Sequence, residues 1–209
     1  RLERVDLFFL HSNIIPDDYD ASAYVDRPAT RWTTYIEQFV PTCEKLKANG
    51  RIGAWGITGI GIPDCILQAL GETARPAAVQ CITNLLDSPG ELQYFPGPSR
   101  ARELIVATKA SGSGVLGIRP VQGGALCDRL DRELPDGHGV VVDFAKSEDF
   151  RTLAAELGTS AAALAHRYAL SMDDVDTVVL GCKNREELAE CVAAEAAGPL
   201  ETEIIARID

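Results

Sequence analysis

The chain has 209 residues, enough for one domain with a sizeable core but short of the roughly 250 that a complete eight-fold barrel needs. Its apolar (46%) and charged (24%) fractions are ordinary for a globular protein. A net charge of −11 argues against nucleic acid or an anionic membrane surface as partner, because neither would find a basic stripe to bind. Six cysteines (Cys43, Cys65, Cys81, Cys127, Cys182 and Cys191) lack C-x-x-C spacing, which excludes a zinc pattern and a small disulfide scaffold and points to reduced thiols in a cytoplasmic protein. No apolar run reaches the length of a membrane span, and no stretch has the pattern of a signal peptide.

The first element is an apolar run, Val5 to Leu10, of the kind a strand buried on both faces of a parallel sheet needs, and it delivers His11 at its end. Arg1 to Arg4 before it reads as the tail of a helix or its loop. A loop with Pro, Asp and Tyr follows, then a helical pattern through Thr34, Ile36, Phe39, Val40 and Leu46, closed by Asn49-Gly50. Ile52–Ile57 is the second strand. Pro63-Asp64 opens a helix with Ile66, Leu67 and Leu70 inward, and Ala78–Ile82 is the third strand.

A helix over Arg100–Ser111 leads to the fourth strand, Val115–Ile118. Residues 122–145 read as one long irregular segment, in which Asp128–Glu133 is a solvated acidic face and His138 is solvated or structural. Helices are expected over Phe150–Leu157 and Ala161–Leu170, the second capped by Thr159-Ser160 and carrying His166, which reads as solvated or structural rather than catalytic. Thr177–Leu180 is the fifth strand and Arg185–Ala197 the last well-formed helix. Such alternation implies parallel strands with right-handed crossovers in one α/β domain over residues 1–209. Without a Gly-rich loop after the first strand the dinucleotide-binding open sheet is disfavoured, but periodicity alone leaves open sheet and barrel both standing.

The strand ends carry a resemblance. Asp6-Leu7-Phe8-Phe9-Leu10-His11 resembles the aldo-keto reductase strand D-L-Y-L-L-H, and Gly50–Gly59 resembles G-K-I-R-A-I-G-V-S-N. Val79-Gln80 with Asn84-Leu85-Leu86 is similar to V-Q-x-x-Y-N-L-L, and Gly114–Gly124 to G-V-I-A-M-K-P-L-A-G-G. Leu164–Leu170 resembles A-L-R-W-V-L, and Gly181–Cys191 follows G-A-R-S-P-E-Q-L-E-E-N without a gap. The resemblance implies a TIM-type (β/α)8 barrel of which this chain holds about five units, beginning at the family's fourth strand. Two sheet edges would then be left open, so self-association or aggregation of the isolated segment is expected.

It also implies an oxidoreductase that uses NADP or NAD to interconvert a carbonyl (aldehyde, ketone or sugar) and an alcohol. His11 corresponds to the family histidine that polarises the substrate oxygen, where an N–H donor stabilises developing charge. The family's Asp, Tyr and Lys have no counterpart here, and Tyr19, Tyr24 and Tyr35 lie in the wrong part of the fold to replace the proton donor, so the segment alone is expected to be inactive. Thr58 and Gln80, with Asn84, correspond to residues around the nicotinamide amide, and Ile118 stands where many members stack a tyrosine on the ring.

Arg119 and Pro120 continue that cofactor wall, and Gly123 and Gly124 suit a loop approaching a pyrophosphate. Gly181, Cys182, Lys183 and Asn184 fall at the adenosine end, before a helix N-terminus that attracts phosphate. Glu187 replaces an arginine common in NADP users and Cys191 an adenine-facing asparagine. Glu187 would repel a 2′-phosphate, whereas Lys183 and Arg185 would offset it. No metal is implied. These substitutions keep a second reading open, a non-catalytic nucleotide- or partner-binding subunit of the same fold. An unrelated parallel α/β protein is the third.

Overall fold

The computed structural model describes residues 3–20, 22 and 29–209, so Arg1, Leu2 and Tyr24 lie outside the described residues. Five parallel strands form one sheet in the order β1 (Val5–Leu10), β4 (Ile52–Thr58), β5 (Ala78–Ile82), β6 (Gly114–Ile118) and β7 (Thr177–Val178). A second, two-stranded sheet joins β2 (Asn13–Ile15) to β3 (Ala29–Arg31), a pairing the sequence did not announce because three residues are too few for periodicity to register. Among the described residues no helix is long and apolar enough to cross a membrane. The chain divides into two compact units, residues 1–81 with 93–116, and residues 82–92 with 117–209.

In the first unit, β1 runs beside β4 with Val5 opposite Ile52 and Leu10 opposite Ile57, and β4 runs beside β5 with Thr58 opposite Gln80. The expectation that β1 is buried on both faces is corrected. Val5 and Phe8 are 39% and 42% exposed, because β1 ends the strand order and, among the described residues, only β4 pairs with it. An aromatic group holds the following helix on these strands. Phe39 stacks on Tyr35 and Phe8 at 5.8 and 6.4 Å between centroids and meets Trp55 edge-on at 5.6 Å, and Trp55 donates its indole N–H to Glu44 at 2.7 Å.

That helix is not the continuous α-helix the spacing predicts. It runs as α1 (Trp32–Thr34), a π-turn over Tyr35–Phe39, and α2 (Val40–Ala48). Pro41 explains the widening: it has no N–H for the i−4 carbonyl and its ring crowds that carbonyl, so the preceding turn opens and Val40 donates to Tyr35. In α3 (Pro63–Gly71), Cys65, Ile66, Ala69 and Leu70 are buried, while Leu67, expected inward, is half-buried at the margin of that stripe. In α4 (Ala101–Ala110), Leu104, Ile105 and Thr108 face the core.

The second unit holds the end of β6, β7, and α5 (Gly139–Lys146), α6 (Glu148–Glu156), α7 (Ala161–Ser171), α8 (Arg185–Ala196) and α9 (Thr202–Ile208). Its core gathers Leu126, Val140, Phe150, Leu164 and Tyr168. The expected irregular segment 122–145 is corrected at its end, because α5 begins at Gly139 with the His138 ring accepting the Val140 N–H at 3.2 Å. The acidic stretch 128–133 is not only a solvated face: Asp128 accepts the Ala161 N–H at 3.0 Å, and Asp131 pairs with Arg132 and Lys183. Ser160, as expected, caps α7 through the Ala163 N–H. Strand β7 is shorter than the predicted 177–180.

Gly56 marks where the first unit tolerates no side chain. A β-carbon there would lie 2.5 Å from the Ala78 carbonyl oxygen and 2.5 Å from a ring carbon of Phe9. Gly56→Ala is therefore expected to destabilise the protein by about 2–3 kcal/mol, read as a lower urea midpoint. An unchanged midpoint would show that the β4–β5 approach has slack.

Candidate active site

Parallel register gathers residues distant in sequence at one end of the first unit. Thr58 pairs with Gln80, and His11 follows Leu10, the partner of Ile57, so His11, Thr58 and Gln80 fall on one line across β1, β4 and β5. At the usual strand spacing this line spans about 10 Å. His11 is exposed, which removes it from the class of satisfied core histidines, and it borders an open groove of about 500 Å³ with Phe9, Thr30, Gln38 and Thr42. Thr58 is buried and its hydroxyl accepts the Ile60 N–H at 3.4 Å, while Gln80 is half-buried and its backbone carbonyl accepts the Gly59 N–H at 2.7 Å.

In the second unit the segment after β6 is folded tightly. Arg119, Gln122, Gly123 and Gly124 all have positive φ, and the Gly124 N–H closes a turn on the Val121 carbonyl at 2.9 Å. The Arg119 guanidinium donates to Gln122 Oε1 at 2.6 Å and to Glu91 Oε2 at 2.8 Å, so it braces the loop from within. Gln122 is fully buried and donates to Asp143 Oδ2 at 2.7 Å; Ser88 donates to the same oxygen at 2.5 Å. Asn84 uses both ends of its amide on backbone, donating to the Ser88 and Arg119 carbonyls and accepting from the Leu86 and Ser88 N–H groups. Gly90 completes the fit, since with φ of +58° any β-carbon would sit 2.3 Å from Gln122 Nε2. Ile118 and Pro120 flank Arg119; Ile118 is half-buried and Pro120 buried.

A second cavity of about 570 Å³ lies wholly within this unit, lined by Gly123, Gly124, Gly181, Lys183, Glu187 and Cys191 among others. Asn184 caps α8 by accepting the Glu187 N–H at 2.8 Å, and Glu187 reaches back to accept the Lys183 N–H at 2.8 Å. This reciprocal capping places a carboxylate where a bound phosphate would otherwise complement the helix terminus. The Lys183 N–H holds the Glu187 carboxyl below the usual range, aided by the Lys183 ammonium at 3.2 Å. Asp131 and Glu187 together raise the Lys183 pKa. Cys182 is exposed in the loop just before α8.

The family model described as the Aldo/keto reductase family matches residues 1–209. The chain belongs to the aldo/keto reductase family. Its structure is similar to the apo form of an aldo-keto reductase from Bacillus halodurans (TM-score 0.67, 25% identity, covering 99% of this chain and 61% of that one) and to the holo form (0.68, 24%, 99% and 58%). A glycerol dehydrogenase from Gluconobacter oxydans shares the fold (0.67, 18%, 100% and 58%). No curated protein gave a match. The chain thus spans about three-fifths of the length of these structures, and its parallel five-stranded sheet is part of the (β/α)8 barrel they represent.

The cluster of Ser88, Glu91 and Asp143 was not foreseen from the sequence. Asp143 sits in Val140-Val141-Val142-Asp143-Phe144, where one acid in an apolar helix reads as its solvent face; only the fold turns it inward, to 3% exposure. Asp143→Ala removes the acceptor for both Gln122 and Ser88. It should cost about 2–3 kcal/mol and raise amide exchange across residues 82–92 in hydrogen–deuterium exchange. Protection unchanged in that loop would separate it from the network.

Proposed function

We propose that the intact protein is a nicotinamide-dependent oxidoreductase interconverting a small carbonyl compound and its alcohol, and that it prefers NAD over NADP. The alignment of His11, Thr58 and Gln80 on one line at the C-terminal ends of three parallel strands carries this reading. Barrel enzymes assemble their chemistry at that end of the sheet. Membership of the aldo/keto reductase family supports it independently.

Thr58 and Gln80 offer the donors and acceptors a carboxamide requires. Ile118, with Arg119 and Pro120, supplies apolar wall and backbone after β6, and Gly123 and Gly124 leave the loop surface bare of side chains. Gly181, Cys182, Lys183, Asn184 and Glu187 would hold the adenosine end, beside a cavity large enough for it. A nicotinamide held by Thr58 and Gln80 would supply or accept a hydride.

His11 has the task of placing a ring N–H against the substrate oxygen, which gains negative charge as the carbonyl is reduced. In alcohol oxidation the same donor holds the oxygen in place. His11→Ala in the intact protein should lower turnover by about 100-fold and leave dinucleotide affinity unchanged. Turnover at the original level would remove His11 from the chemistry.

Cofactor preference follows from Glu187. Its carboxylate is ionised through the physiological range and suits a ribose diol as hydrogen-bond donor; a 2′-phosphate would meet like charge there. The nearby Lys183 is already paired with Asp131 and Glu187. Fluorescence titration should show tighter binding of NADH than of NADPH, with Glu187→Gln narrowing the gap by about tenfold. Equal failure of both to bind would favour a non-catalytic subunit.

A further inference from the structure

Beside the α8 cavity lies a group of side chains with no part in hydride transfer. The Cys182 and Cys191 sulfurs are 3.8 Å apart, in van der Waals contact, and the Cys191 sulfur is also 3.5 Å from His166 Nδ1. The two thiols are unequal in access: Cys182 is exposed in the loop before α8, and Cys191 is buried on the helix. His166 is buried on α7 at 7% exposure, and burial lowers its pKa, so its ring is neutral at neutral pH and able to accept a proton. Burial pushes the Cys191 thiol up to about 11, which keeps it protonated and slow toward oxidants on its own.

We propose that Cys182 and Cys191 form a peroxide-oxidised disulfide pair, with Cys182 the sulfur that meets the oxidant, Cys191 the resolving thiol and His166 its proton acceptor. In the first step Cys182, as thiolate, attacks hydrogen peroxide. A sulfur–oxygen bond forms, the oxygen–oxygen bond breaks, and the departing hydroxide takes up from solvent the proton that the thiol released on becoming a thiolate, leaving as water. Cys182 is then a sulfenic acid.

In the second step the Cys191 sulfur attacks the Cys182 sulfur. The sulfur–sulfur bond forms and the sulfur–oxygen bond breaks, while the Cys191 proton passes by His166 to the departing hydroxide, giving a second water. Two thiols lose two electrons in total, and one peroxide is reduced to two waters. Closing the contact to a bond requires the sulfurs to approach by about 1.8 Å. The short segment carrying Cys182 is irregular and lies outside α8, so it is the part free to move. The cross-link ties that segment to α8 at the wall of the cavity lined by Lys183 and Glu187, and a thiol reductant reverses it.

The assignment does not depend on nucleotide binding and is tested without it. The intact protein is exposed to hydrogen peroxide, free thiols are alkylated, and non-reduced tryptic peptides are analysed by mass spectrometry. Cleavage after Arg167, Lys183, Arg185 and Arg207 puts the two cysteines on separate peptides, 168–183 and 186–207. The expected product is these two peptides joined, lighter than their sum by two hydrogen atoms and separable by reductant. Cys191→Ser should instead leave Cys182 as a sulfenic acid trapped by dimedone. His166→Gln should slow cross-linking about tenfold or more, with the dimedone-trapped form accumulating.

Cys127, which lines the same cavity, is the internal control. Cross-links to Cys127 at equal yield, or a Cys182 oxidised without joining Cys191, would overturn the proposal. A cross-linking rate unaffected by His166→Gln would overturn the role of His166.

Discussion

Parallel pairing in a fixed register is the constraint on which the rest depends. When neighbouring strands run the same way, their C-terminal ends fall at one level, and residues far apart in sequence become neighbours there without any contact between their own segments. Leu10 opposite Ile57 and Thr58 opposite Gln80 bring positions 11, 58 and 80 onto a common line. A shift of one residue in either pairing would turn that strand's member of the line to the other face. The glycines of β4 help set the register: with Ala78 and Phe9 atoms within 2.5 Å of where a β-carbon at Gly56 would be, the strands pack closely at that level.

The second unit solves a different problem, that of holding a long loop without a strand to pair it. Buried polar groups are costly unless each finds a partner, and a carboxylate most of all. Asp143 meets this by receiving Gln122 and Ser88 on one oxygen while Lys146 approaches the other at 3.5 Å. Through Arg119, Gln122 is tied in turn to Glu91. The segments 84–91 and 119–122 are thereby fixed to one helix. The positive φ of Arg119 and Gln122 is maintained by this surrounding network, because neither residue favours that conformation on its own.

Legibility in the sequence followed how local the cause was. Strands β1, β4, β5 and β6 were readable because a run of β-branched and apolar residues between turn residues needs no knowledge of the fold. The helix caps at Asn49-Gly50 and Ser160 were readable for the same reason. The π-turn before Pro41 was hidden, since apolar spacing persists through it and only backbone geometry reveals the widened ladder. β2 and β3 are too short for a period, and α5 opens at Gly137-His138-Gly139, where the two glycines read as loop. Cys182 and Cys191 stand nine residues apart, a spacing with no motif, and they meet because a loop folds back along its own helix. His11 was legible as the end of a strand; that it is exposed, and that β1 itself is partly exposed, depended on β1 having one neighbour.

Electrostatics decides what the α8 cavity can accept. Its walls carry Asp128, Asp131, Glu187 and Glu190 against Arg129, Arg132 and Lys183. The cations whose contacts matter most are already engaged: Lys183 by Asp131 and Glu187, Arg132 by Asp131 and by the Gly123 carbonyl at 3.0 Å. A dianionic phosphate placed here would compete with these pairs and with the Glu187 carboxylate at the helix terminus. Hydroxyl groups face no such competition, because they donate to carboxylates that remain paired. The helix terminus that first suggests phosphate is thus satisfied by the protein's own acid. The cavity's remaining chemistry is that of a hydrogen-bond acceptor wall with a pair of thiols beside it.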